Sequence, residues 1–123
     1  MNDNNGLIPP PTFINILVKA ECDAGSGAWT AYCAPDPIVV TAPSILNFQL
    51  VAAPEHVVFK DIIDKTITRV KQLSPPTVSR DGKMLTLSNM ASEWVTLDVT
   101  LHLTDKDQQD LPMDPQIRNE PQG

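Results

Sequence analysis

Twelve prolines are spread through the 123 residues of this chain, and with clusters of glycine, serine, asparagine and aspartate they cut it into short pieces. Proline fixes φ and removes a backbone donor, so it ends helices and is kept out of central strands. Turn signals recur at the spacing of an all-β protein. The expected fold class is all-β, a sandwich built from short strands.

Within the pieces, apolar residues alternate. The clearest stretch runs from Trp94 to Thr104: Val95, Leu97, Val99, Leu101 and Leu103 share one side, and Thr96, Asp98, Thr100, His102 and Thr104 the other. Period two marks a half-buried strand whose first set is core. Residues 45–51 repeat the pattern with Leu46, Phe48 and Leu50 inward. Thr12 to Ala20 mixes apolar residues into both phases and reads as a first strand largely buried on both sides. Asp23 to Gly27 turns the chain, and Ala28 to Cys33 continues with Trp29 capping one end of the core. Pro35 and Pro37 break that strand before Ile38 to Thr41 resumes. Asp81-Gly82 is read as a two-residue hairpin turn needing positive φ. Residues 57–73 are ambiguous, because Phe59, Ile62, Ile63, Thr66, Ile67, Val70 and Leu73 fall at helical spacing while their β-branched composition prefers strands.

One domain over residues 12–123, preceded by a flexible polar and proline-containing leader over 1–11, suits this length. Aromatic content of 5% makes the core aliphatic, and a net charge of −6 argues against nucleic acid or anionic membrane as a partner. No signal peptide or spanning stretch is present in the sequence, which makes a soluble, cytoplasmic protein the default. Cys22 and Cys33 fall out of register for a bridge across the Asp23–Gly27 turn and are expected as free thiols. With no phosphate loop, dinucleotide fingerprint or zinc-ligand spacing, no cofactor or metal is expected.

The tail, Leu111 to Pro121, carries prolines at 112, 115 and 121 and is expected to run as an irregular, extended segment packed along a sheet edge. Its Asp114-Pro115 bond has a chemistry of its own. The Asp side chain can reach its own main-chain carbonyl carbon through a five-membered ring, and the proline nitrogen, once protonated, is a good leaving group. Orienting such an attack is worth on the order of 7–11 kcal/mol in favourable cases. Taken alone, an Asp-Pro pair is a common extended or turn dipeptide that survives neutral pH.

Asp114-Pro115-Gln116-Ile117 followed by Asn119-Glu120-Pro121 resembles the C-terminal signature of the bacterial DP-EP family. The resemblance implies an immunoglobulin-like β-sandwich, with about seven to eight strands on the spacing above. It also implies a self-cleaving, self-assembling endopeptidase with Asp114-Pro115 as the scissile bond. Residues 83–106 hold no lysine between their ends, so hydrolysis is favoured over capture by an amine. Asp98 and His102 share the polar face of the 94–104 strand and become candidate acid and base if the tail pairs beside it. A close pair of Asp98 and Asp114 would raise one carboxyl pKa and create a proton donor. Ile117 is expected to be buried and to retain the tail after cleavage, with Asn119 and Glu120 anchoring its path. The alternative function is a non-enzymatic binding or assembly module, in which the chain partners itself through a sheet edge or a donated tail.

Overall fold

The computed structural model describes residues 12–122, and the expected leader over 1–11 lies outside the described residues. These residues form β1 (Thr12–Cys22), β2 (Trp29–Ala34), β3 (Ile38–Val40), β4 (Ser44–Ala52) and β5 (Val58–Asp64). Then follow β6 (Thr77–Val78), β7 (Met84–Asn89), β8 (Val95–Leu97), β9 (Val99–Thr104), β10 (Asp110–Met113) and β11 (Ile117–Asn119). The chain is all-β as described, and among the described residues no helix is long and apolar enough to cross a membrane.

One sheet has five strands in the order β2-β1-β4-β7-β6, and two three-stranded sheets have the orders β10-β9-β5 and β3-β11-β8. The two smaller sheets continue one another. Met113 lies opposite Leu101 and Ile117 opposite Leu97, so four residues forward along the tail match four residues back along its partner. Eleven elements stand against the seven or eight anticipated, and two of the additional ones arise because both of these long segments are interrupted. Asp98 breaks the first by spending its backbone elsewhere: its N–H donates to Thr66 Oγ1 and its C=O accepts from the Lys65 N–H. Pro115, with no N–H to give, breaks the second.

A single apolar cluster lies between the layers, with Ile16, Leu46, Phe48, Leu85, Leu101, Leu103 and Ile117 among its members. Leu97, Val99, Leu101 and Leu103 all face it, as their alternation requires. The first strand departs from expectation. Ile16, Val18 and Ala20 are buried while Phe13 and Leu17 are 67% and 45% exposed, because β1 has hydrogen-bonded neighbours on both edges and a core on one face alone. Over residues 57–73 the helical spacing is overruled as far as Asp64: β5 pairs with β9 through a register shift between Phe59 and Asp61, and the remainder is irregular.

The Asp81-Gly82 hairpin also differs. Ser79 N–H reaches the Met84 C=O and Gly82 N–H the Ser79 C=O, so the connection is longer than two residues. Asp81 lengthens it by accepting from the Ser79 hydroxyl at 2.6 Å and the Lys83 N–H at 3.0 Å. Cys22 pairs with Trp29 and Cys33 with Val18, and both thiols are free.

Candidate active site at the Asp114-Pro115 bond

The tail does not keep to an edge throughout. β10 is an edge strand beside β9, but β11 lies between β3 and β8, parallel to the first and antiparallel to the second. Asp114 and Pro115 occupy the interruption between the two. The shared register sets Asp114 across from Thr100, and Thr100 Oγ1 donates to Asp114 Oδ1 at 2.9 Å. Asp114 is exposed and Pro115 buried, so the chain passes from solvent to core across this one peptide bond.

Downstream, the backbone is held on both sides. The Gln116 C=O accepts from the Ile38 N–H at 2.8 Å, the Glu120 N–H donates to the Val40 C=O at 2.9 Å and the Gln122 N–H to the Thr41 C=O at 3.0 Å. Ile117 is fully buried. Asn119, also buried, exchanges amide hydrogen bonds with Asn89 of β7 at 2.8 and 3.0 Å and donates a third to Gln72 Oε1 at 3.3 Å. This amide cluster joins one layer to the other, and Gln72 extends it by accepting from the Ser92 and Glu93 N–H groups. Glu120 is held through its backbone.

His102 and Asp98 stand on the same face as Thr100, one same-face step to either side, but neither hydrogen-bonds to Asp114. His102 Nδ1 is engaged by Asp110 at 2.8 and 3.1 Å. On its other flank the ladder sets Asp61 of β5 opposite His102, and Asp61 Oδ1 is buried with no hydrogen-bond partner. Asp98 is exposed and tied down by its backbone. Asp114 takes its side-chain hydrogen bond from Thr100, the hydroxyl that cross-strand pairing sets beside it, and none joins it to Asp98. Among the described residues no group of three or more His, Cys, Asp or Glu side chains is arranged to hold a metal ion.

Strand phase alone would have picked out Thr100 once the register was known. Asp110 was one diagonal step further along the same ladder. Asn89 and Gln72 carried no signal, since their contact with Asn119 spans 30 and 47 residues of sequence. A scan of protein-family models gives no match to this chain, and a search of curated proteins gives no relative.

Proposed function

We propose that this protein cleaves its own Asp114-Pro115 bond in a single turnover, with the Asp114 carboxylate as the attacking group. The hydrogen bond from Thr100 Oγ1 to Asp114 Oδ1 supports this most directly. It fixes the side-chain torsions and leaves the second oxygen free to meet the main-chain carbonyl carbon of the same residue. A bond forms between them and closes a five-membered cyclic anhydride. The C–N bond to Pro115 breaks, and the proline nitrogen takes a proton and leaves as a secondary amine. One water molecule then opens the anhydride, giving a carboxyl group at Asp114 and an amino terminus at Pro115.

The frame around the bond favours the attack, because Pro115 is buried and the backbone beyond it is pinned through Gln116, Glu120 and Gln122. Restricting the reacting groups before reaction is the source of effective molarity. His102 is the proposed proton donor. It lies about 7 Å along β9 from Thr100, two strand residues away, so a water molecule carries its proton to the nitrogen. Asp110 orients the ring and leaves Nε2 free. Asp98 has no proton-transfer role in this reading. The likeness of residues 114–121 to the DP-EP signature agrees with it.

Tail donation has less support, since removing β11 opens two ladders and strips Ile117 and Asn119 from buried positions. The test is a time course on denaturing gels. Asp114→Ala is expected to abolish cleavage, Thr100→Val to slow it on the order of 10- to 100-fold through lost orientation, and Asp98→Asn to leave it unchanged. Thr100→Val cutting at the wild-type rate would remove the main support for the proposal.

A further inference from the structure

We infer that the outer edge of β2 is a docking site for an extended cationic peptide, which adds to it as a further strand with basic side chains over Asp36 and Asp114. The inference does not depend on cleavage. Sheet edges offer unpaired N–H and C=O groups, and proteins shield them with short strands, proline, charge or bulges. Among the described residues, five of the six sheet edges are shielded in this way. β6 has two residues, and β3 and β8 have three each. β10 carries Pro112 and Asp110, and β5 carries Lys60 at its register shift.

β2 has none of these devices. Its six residues, Trp29-Thr30-Ala31-Tyr32-Cys33-Ala34, include no charge and no proline, and they pair with β1 in one unbroken register. The Asp23 N–H to Ala28 C=O bond sets the phase of that ladder. Alternation then turns the backbone groups of Trp29, Ala31 and Cys33 outward, where a new strand would meet them.

The chemistry beside this edge selects the partner. Two adjoining clefts of about 190 and 440 Å³ run between β2 and β10, with Trp29, Ala31 and Pro112 in the walls of both. Tyr32 is 51% exposed at the rim. Asp110 lines the smaller cleft and Asp36 and Asp114 the larger, and among the described residues no lysine, arginine or histidine lines either. Asp110 is partnered by His102, which leaves Asp36 and Asp114 as the carboxylates without a cation in the larger cleft, and these beside Trp29, Ala31 and Pro112 fit an extended segment with alternating apolar and basic side chains. A second copy of the chain fits poorly, because it would bring its own Asp36 and a net charge of −6 to the same edge.

The full-length protein is titrated with three end-blocked heptapeptides while backbone amide signals are followed by NMR. The first alternates valine and lysine, the second replaces lysine with glutamate, and the third is the lysine peptide N-methylated at alternate nitrogens. The lysine peptide is expected to shift Trp29, Ala31 and Cys33, the glutamate peptide to bind at least ten-fold more weakly, and the methylated peptide to lose binding. Asp36→Asn is expected to weaken the lysine peptide several-fold, and Ala31→Pro, which removes an outward-facing donor, to abolish its binding. Equal affinity for the glutamate peptide, retained affinity of the methylated one, or shifts away from β2 would overturn the assignment. So would a peptide-free dimer that Ala31→Pro dissolves, since the occupant would then be a second copy.

Discussion

Single residues carry the most local constraints. Gly82 has φ +74°, and a Cβ there would lie 2.6 Å from Val58 Cβ, while its C=O accepts from the Phe59 N–H at 2.8 Å. Gly82→Ala is therefore expected to lower stability by about 1–3 kcal/mol through overpacking and backbone strain, read as a lower urea midpoint. The need for glycine was legible in the Asp-Gly pair, but the approach of β5 was not, because no local pattern reports a neighbour from another sheet. Asp81 has its carboxyl held below the usual 3.8 by the Ser79 hydroxyl and then the Lys83 N–H. Its contribution is present above that ordinary value and is lost as pH falls through the depressed one. Asp81→Asn is expected to flatten the acid limb of a stability–pH profile, whereas an unchanged limb would assign it to other carboxyls. Asn119→Ala leaves buried Asn89 and Gln72 short of partners and is expected to cost about 1–3 kcal/mol. In a thermal-melt double-mutant cycle with Asn89→Ala the two losses should be strongly non-additive.

At the scale of elements, the 94–104 strand was legible because every core-facing position is aliphatic, and the same alternation sets Thr100 across from Asp114. β11 was harder to place. Its prolines read as an edge, yet they fall outside Ile117–Asn119, and those three residues are free to pair on both sides. That central position gives the proposed cut a consequence, since the severed segment keeps its ladders to β3 and β8. Ile117→Ala, which empties a fully buried site, is expected to cost about 2–5 kcal/mol and to loosen the segment, measured as faster amide exchange at Arg118 and Asn119. β1 and β2 carry one thiol each, Cys22 and Cys33, and the two are unlike. Burial, and then the charge of Asp36, push the Cys33 thiol above its ordinary value of 9.0, while Cys22 is exposed. Cys33 thus holds less thiolate at any pH below that value. Alkylation at pH 8 should modify Cys22 first, and comparable rates at both positions would contradict this.

For the whole molecule, the spacing of prolines and turns was enough to expect an all-β chain, because short half-buried strands are what such punctuation permits. Which strands share a sheet was not legible, since the parallel β1–β4 and β3–β11 pairs join segments distant in sequence. The architecture gives the proposed chemistry its setting: a sandwich whose second layer has its tail segment interrupted at one exposed aspartate and one buried proline. If the frame directs that bond to break, the two products remain one folded body held by β11 and the Asn89–Asn119 contact. Intact mass measured on one aged sample under native and denaturing conditions tests this most directly. The account predicts a single native species heavier than the full-length chain by one water, which on denaturation separates into residues 1–114 and 115–123. A full-length, unhydrated mass in both conditions, unchanged with time, would contradict it.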